Sequence, residues 1–179
     1  MRAFKIIVLA IVALTACSSE TVKSDIYVKP NYPISRLNKV LVGHFSVRTH
    51  VPYAHLNFRE QLEFHLLQRK YKVLPDDILL DFYKSRKRRR SPLLSRKEIR
   101  SAHGESSFDL FIQGIIYEED RSIFEEGNHI IVHIYIYSAR GVKISTIRYI
   151  YTGERSLISG ELIDESIIKM LSQWESRKS

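Results

Sequence analysis

The chain contains the regularly alternating run IIVHIYIY, residues Ile130 to Tyr137. Side chains alternate across a β-strand, so one face of this stretch is purely aliphatic, while His133 and both tyrosines fall on the other face. The turn Ser138-Ala139-Arg140-Gly141 follows and leads into a second apolar run, Val142 to Thr152. Two apolar runs joined by a short glycine-containing turn predict an antiparallel β-hairpin.

Further apolar runs extend the predicted sheet upstream of the hairpin. Val40 to Val47 carries apolar residues on both faces, which is typical of a central strand or of a sheet covered on both sides. Phe108 to Tyr117 is a longer run that contains Gly114, and Val73-Leu74 is a short strand or a strand end. Together these runs predict a mixed, mostly antiparallel sheet of about four to five strands.

Capping signals predict the helices between the strands. Asn57 and Glu60 have the spacing of a capping box at the start of the first helix. Its apolar stripe is Phe58, Leu62, Leu66 and Leu67. Asp76-Asp77 opens a second helix, whose apolar period runs to Tyr83.

Two more helices are predicted further along the chain. Ser95 and Glu98 form a second capping-box pair, and Gly104 is the expected end of that helix. Ser159 is the expected N-cap of a closing C-terminal helix. The buried stripe of that helix is Ile163, Ile167, Met170, Leu171 and Trp174. The chain is therefore expected to be α/β (α+β), a single domain in which helices pack on the sheet and a helix closes the fold.

The composition is that of an ordinary globular protein with a basic balance. Hydrophobic residues make up 44% of the 179 residues, charged residues make up 27%, and the formal charge is +8. A basic protein is drawn to anionic surfaces such as phospholipid headgroups, lipopolysaccharide phosphates or acidic glycans. Cys17 is the only cysteine, so no internal disulfide is expected.

The first residues of the chain have the layout of an export signal. Arg2 and Lys5 precede an apolar run from Ile6 to Ala13, and a small-residue site follows it. The apolar run is far shorter than the roughly 20 residues that a membrane-spanning helix needs. We therefore expect residues 1–16 to be a signal peptide, and export argues against nucleic acid as a partner.

Leu14-Thr15-Ala16-Cys17 resembles the lipobox of bacterial lipoproteins. The resemblance implies cleavage before Cys17, which would then carry a diacylglyceryl group and an amide-linked acyl chain such as palmitate. Two or more chains anchor a protein firmly, whereas one binds reversibly. Ser18 resembles the outer-membrane sorting signal of enteric bacteria. The alternative is that Cys17 is an ordinary residue of a cleaved secretory signal.

Residues 17–36 are expected to be the lipidated cysteine and a flexible tether, and residues 37–179 the globular domain. A flexible segment of this length would reach about 25 Å root-mean-square, enough to hold the domain clear of the headgroups. The alternative is that Ile26-Tyr27-Val28 pairs as an edge strand.

Several segments resemble a compact α/β domain of bacterial envelope proteins. They are Lys39 to Phe45, Phe108 to Gly114, Tyr135 to Gly141 and the final helix, so the resemblance spans residues 38–174. The domain occurs in the curli-secretion lipoprotein, in lipoprotein activators of peptidoglycan synthases and in the amino-terminal domain of the Tol–Pal translocation protein. The chain departs from these proteins by lacking a pair of long amphipathic hairpins and by carrying a basic insertion at residues 84–100.

The basic insertion is the sharpest candidate binding feature. Its cationic residues are Lys84, Arg86, Lys87, Arg88, Arg89, Arg90, Arg96, Lys97 and Arg100. Such a run can hold an anionic membrane, at about 1 kcal/mol per cation near the surface, or dock an acidic envelope protein or glycan. The alternative is a solvated helix end or loop without a ligand.

No set of residues indicates catalysis, a cofactor or a metal. His129 and His133 are four apart, which on a strand separates them by about 13 Å, too far to share one ion. Glu118-Glu119-Asp120 and Glu125-Glu126 are interpreted as a solvated connection between strands. The tyrosines 117, 135, 137, 149 and 151 are either core residues or a binding face.

The function expected from these features is non-enzymatic. The protein should be a lipid-anchored envelope lipoprotein that binds or assembles another envelope component. The outer membrane is the expected location by the sorting rule of enteric bacteria, and the inner membrane is the alternative where sorting differs. No small-molecule substrate is indicated. The alternative is a surface-exposed adhesin or a lipoprotein that binds a host component.

Overall fold

The computed structural model describes residues 20–30, 32–33, 37–48, 54–80, 84, 93–120, 128–155, 157 and 160–177, without the side chains of 55, 119 and 120. In chain order the strands are β1 (Thr21–Val28), β2 (Lys39–Arg48), β3 (Lys72–Leu74), β4 (Leu110–Asp120), β5 (Asn128–Ser138) and β6 (Lys143–Gly153). The helices are α1 (Ala54–Gln68), α2 (Arg96–Ser106) and α3 (Gly160–Ser176), with a 3₁₀ turn at Asp77–Leu79.

The six strands form one mixed sheet in the order β1-β6-β5-β4-β2-β3. β2 is parallel to β3 and β4, while the pairs β4–β5, β5–β6 and β1–β6 are antiparallel. The predicted hairpin is β5–β6, paired from Asn128↔Gly153 to Tyr137↔Lys143. The expected fold class, a single α/β domain with a mixed sheet and a closing C-terminal helix, is confirmed.

β1, which is one strand more than predicted, corrects the interpretation of residues 21–28 as part of a flexible tether. β1 pairs with β6 along its whole length, from Thr21↔Thr152 to Val28↔Ser145. Val22, Ile26 and Val28 pack against the core, which gives the segment a buried face that a tether would not have. The open alternative, an edge strand at Ile26-Tyr27-Val28, is the correct one, and the strand is longer than those three residues.

α1 and α3 cover one face of the sheet and enclose the main core. Phe45 on β2 lies 4.9 Å from Phe58 on α1, measured between ring centroids. Trp174 on α3 is fully buried, with Tyr71 stacked 6.0 Å away. All five residues of the stripe predicted for the closing helix are buried, so that prediction is confirmed.

The opposite face of the sheet is only partly covered. α2 and the 3₁₀ turn close a smaller apolar cluster over the β2–β4 side, made of Leu41, Leu79, Leu94, Ile99, Ala102, Phe108 and Phe111. The rest of this face carries side chains that are half-buried or exposed. The fold therefore has one closed and one half-open face.

α1 differs from its prediction in its N-cap and in one residue of its buried stripe. It begins at Ala54, so Asn57 lies inside the helix and is not its N-cap. Leu67, which was expected in the buried stripe, is 56% exposed. The predicted stripe included Leu67 because α1 carries apolar residues on two sides. Phe58, Leu62 and Leu66 face the core, while Leu67 faces outward.

The shorter helices are partly as predicted. The Ser95–Glu98 capping pair is confirmed, since the Ser95 amide donates to the Glu98 carboxylate over 2.9 Å. α2 continues past Gly104 and ends before Ser107, whose φ of 51° is left-handed. Ser159 and the end of the predicted second helix at Phe82-Tyr83 lie outside the described residues. No helix in the described part of the chain is long and apolar enough to cross a membrane.

Candidate binding surface

The half-open face of the sheet presents a continuous surface, here called the open sheet face. Strand register aligns its residues in rows: Ile115, His133 and Arg148 are neighbours across β4, β5 and β6. The row beside it joins Tyr117 to Ile131. Each member is half-buried or exposed. The open sheet face consists of Arg48, Ile115, Tyr117, Ile131, His133, Tyr135, Arg148 and Ile150.

Aromatic rings form the centre of the open sheet face. The His133 ring lies edge-on to Tyr117, with centroids 6.1 Å apart, and is stacked beside Tyr135 at 6.2 Å. A cation lies over each tyrosine: the Arg48 guanidinium is 5.6 Å from the Tyr117 centroid, and the Lys143 ammonium is 5.2 Å from the Tyr135 centroid. Cations over ring faces are attracted by the ring quadrupole, so the surface combines flat aromatic area with positive charge at its margins.

Arg148 adds a third cation beside His133. Its guanidinium pairs with Asp25 on β1 at 2.5 Å, and both side chains are at least half exposed. Such a pair adds little stability. Burial, and then the Arg148 charge, lowers the pKa of His133 below its ordinary value. The imidazole is therefore neutral at neutral pH and can donate and accept hydrogen bonds.

Gln113 lies at the border of the open sheet face, where the backbone at Leu94 covers the sheet. Its side-chain oxygen accepts from the Leu94 amide at 2.8 Å, and its nitrogen donates to the Leu94 carbonyl at 3.0 Å. Burial raises the pKa of Tyr137, and Gln113 opposes that shift. Burial, with Tyr117 and Tyr137 adding to it, also raises the pKa of Tyr135. Tyr135 and Tyr137 thus stay protonated and keep their hydroxyl donors.

The five tyrosines singled out in the sequence divide between the two faces. Tyr117, Tyr135 and Tyr137 lie on the half-open side, and the first two belong to the open sheet face. Tyr149 and Tyr151 are buried in the main core, and burial is the main cause that raises the pKa of Tyr149 to about 12. The core interpretation therefore holds for Tyr149 and Tyr151, while a binding face stays a prediction for the tyrosines of the half-open side.

The described part of the basic insertion lies at the margin of the open sheet face. Arg96, Lys97 and Arg100 are exposed on the first turns of α2. Arg96 packs so closely on the β5–β6 turn that a Cβ on Gly141 would lie 2.5 Å from its carbonyl oxygen. Lys84 is exposed, whereas Arg86, Lys87, Arg88, Arg89, Arg90 and Cys17 lie outside the described residues.

The acidic connection needs one correction. Glu118 is not solvated: it lies on β4, is 8% exposed and accepts a hydrogen bond from the Leu157 amide at 3.2 Å. Glu118 lies two residues before the end of β4, where the backbone at Leu157 covers it. Glu125 and Glu126 lie outside the described residues. No group of three or more metal-ligating side chains occurs in the part of the chain that the structure describes.

The cations of this surface were not found from the sequence. Arg48 lies on β2, whereas Lys143 and Arg148 lie on β6, and only the register brings them to the aromatic rings. The available signal was the alternation of β5, which places His133 and Tyr135 on the face opposite to its aliphatic residues.

No protein-family model matches the chain, and no curated protein matches it either. Among solved structures, a PelC variant dodecamer from Paraburkholderia phytofirmans matches with a TM-score of 0.57 and 14% identity, over 85% of this chain and 96% of that one. Lipoprotein GNA1162 from Neisseria meningitidis matches with a TM-score of 0.52 and 13% identity, over 78% of this chain and 99% of that one. The LpoB C-terminal domain from Escherichia coli has a TM-score of 0.46 and 10% identity, over 63% of this chain and 81% of that one.

At these identities the likeness concerns the fold. The fold of this chain is one that a bacterial lipoprotein adopts, so the predicted resemblance of the domain to that of bacterial lipoproteins is confirmed for the fold, while the lipobox stays a prediction.

Proposed function

We propose that this protein is a non-enzymatic, lipid-anchored module of the bacterial outer membrane that holds another envelope protein on its open sheet face. The observation that carries the proposal is the half-open sheet, whose aromatic residues are bordered by Arg48, Lys143 and Arg148. Aromatic and arginine side chains are the residues enriched at protein interfaces. The shared fold with a lipoprotein supports the envelope setting.

The anchor would hold the domain close to the membrane. Cys17 precedes the first residue of β1, Thr21, by four positions. An extended chain spans at most about 3.6 Å per residue, so a lipidated Cys17 would lie within about 14 Å of the start of β1. The domain would therefore work beside the headgroups, whereas a tether through residue 36 would have let it stand clear of them.

The chemistry of the surface favours an acidic protein partner. The three marginal cations and the exposed Arg96, Lys97 and Arg100 carry positive charge. The rest of the basic insertion, Lys84 and Arg86 to Arg90, is proposed to extend that charge. Complementary charge would speed association and orient the partner. The aromatic centre, once the partner covers it, would supply most of the affinity.

A pull-down from detergent-solubilised membranes tests the open sheet face. The Tyr117→Ala/Tyr135→Ala variant should lose the proteins that the wild-type chain recovers. The matched control is Phe64→Ala, which removes a 52% exposed aromatic from α1 on the opposite side of the domain and should recover them all. Recovery of the wild-type set by the double variant would contradict the proposal.

A third variant tests the basic insertion separately. Neutralising Lys84, Arg86 to Arg90, Arg96, Lys97 and Arg100 should weaken recovery, more strongly as the salt concentration falls. An unchanged partner set would remove the basic insertion from the proposal and leave the open sheet face in it.

Protease treatment of intact cells distinguishes this function from that of a surface adhesin. A module facing the periplasm should survive the treatment and be digested only after the outer membrane is opened. Digestion on intact cells would favour the adhesin instead.

A further inference from the structure

β1 is an edge strand whose outer side has no neighbouring strand in the described sheet. The Lys29 amide donates to the Ile144 carbonyl at 2.8 Å, which fixes the direction of the backbone groups along β1. In an antiparallel ladder these directions alternate. The backbone of Asp25 and Tyr27 therefore points to β6, while that of Val22, Ser24 and Ile26 points away from the sheet.

The sequence of β1 is complementary to itself about Ser24. If a second copy pairs antiparallel with its Ser24 opposite the first, Lys23 lies opposite Asp25 of the second copy, and the same pair forms again on the other side of the axis. Val22 then lies opposite Ile26. Opposite charges and apolar pairs across two strands both stabilise such a pairing.

The charges also exclude the neighbouring registers. Centring the pairing on Asp25 would place two aspartates opposite each other, and centring it on Lys23 would oppose two lysines. Like charges directly opposite are destabilising. A half-step shift would turn the outward backbone groups away from each other, so centring on Ser24 is the register that satisfies both charge and hydrogen bonding.

We infer that two copies of this chain associate through their β1 strands, centred on Ser24, to form one continuous twelve-stranded sheet. The outward amides and carbonyls of Val22, Ser24 and Ile26 form about six main-chain hydrogen bonds between the copies. The two-fold axis is perpendicular to the sheet, so both helical layers lie on one side and both open sheet faces lie on the other.

The surroundings of β1 fit this association. A cleft of about 320 Å³ opens beside the strand, between Ser24 and Ile26 on one side and Gln173 of α3 and the following Arg177 on the other. In the pairing, Val22 of the second copy lies beside Ile26 at the rim of this cleft. Tyr27, 59% exposed on the other side of the strand, is covered by Thr21 of the second copy.

Sedimentation equilibrium of the purified full chain in density-matched detergent tests the association. The wild-type chain should have twice the monomer mass, and Lys23→Asp and Asp25→Lys should each have the monomer mass. Asp25 also pairs with Arg148 of its own copy, so the charge-reversed chain is Lys23→Asp/Asp25→Lys/Arg148→Asp. It restores both pairs and should return to twice the monomer mass. A monomeric wild-type chain, or a charge-reversed chain no better than the single variants, would overturn the inference.

Substitutions at the axis separate backbone pairing from side-chain effects. Ser24→Pro removes an outward amide that the pairing needs, so it should yield the monomer. The chain should stay folded, because β1 keeps its bonds to β6. Ser24→Ala loses the hydroxyl bond to Gln173 but keeps the amide, so it should remain a dimer. Circular dichroism checks that each variant is folded. Dimerisation of a folded Ser24→Pro variant would overturn the inference.

Discussion

Gly114 shows how one residue fixes the packing between the sheet and α1. A Cβ at this position would lie 2.4 Å from both the Phe45 ring and the His133 carbonyl oxygen. The Phe45 ring, which also packs on Phe58, thus occupies the space that a side chain would need. The sequence showed a glycine in an apolar strand, but the ring that requires it comes from a strand about seventy residues away.

Gly114→Ala should therefore destabilise the fold by about 1–3 kcal/mol, because the ring or the backbone must move. The matched control is Gly104→Ala in α2, where no atom lies within 4 Å of an added Cβ. That change should stabilise by about 0.5–1 kcal/mol, since alanine favours the helix. Urea unfolding measures both, and equal free energies for wild-type and Gly114→Ala would contradict the packing account.

His133 makes stability depend on pH. Burial and Arg148 lower its pKa in the folded state, so the unfolded chain binds a proton more readily. Stability should consequently fall as the pH drops below the unfolded pKa of about 6.5, until the folded-state pKa is passed.

His133→Gln should flatten this part of the curve of unfolding free energy against pH. The slope difference between wild-type and variant, measured by urea unfolding from about pH 7.5 to 4.5, isolates the contribution of this residue. Parallel curves would show that His133 does not titrate differently in the two states.

At the scale of elements, local pattern was sufficient where an element repeats its period over many residues. The β5–β6 hairpin and the α3 stripe were predictable because their alternation and helical spacing are uninterrupted. β1 was not, because its exposed face carries Lys23, Asp25 and a tyrosine, and its buried face is interrupted by Ser24. Only pairing with β6 makes this segment a strand.

Proline substitutions in β1 test this correction. Asp25→Pro removes an amide that points to β6 and should cost about 1–3 kcal/mol of unfolding free energy. Ser24→Pro removes an outward amide and should cost less in chains kept dilute enough to be monomeric. Thermal or urea unfolding makes the comparison. Two neutral substitutions would indicate a flexible tether after all.

At the scale of the whole molecule, asymmetry between the two faces of the sheet creates the candidate site. α1 and α3 close one face completely, while α2 covers only the β2–β4 side of the other. The sequence located the tyrosines but not the cations beside them, because strand order and register are long-range properties. It also could not tell which tyrosines face the core, since alternation within a strand leaves its orientation in the sheet open.

The proposed function depends on the domain being held at a membrane through Cys17. Mass spectrometry of the amino-terminal peptide, from protein recovered in the membrane fraction, tests this proposal. We expect a peptide that begins at Cys17 and carries the mass of a diacylglyceryl group and an amide-linked acyl chain. A soluble protein with an unmodified Cys17 and residues 1–16 still attached would contradict it.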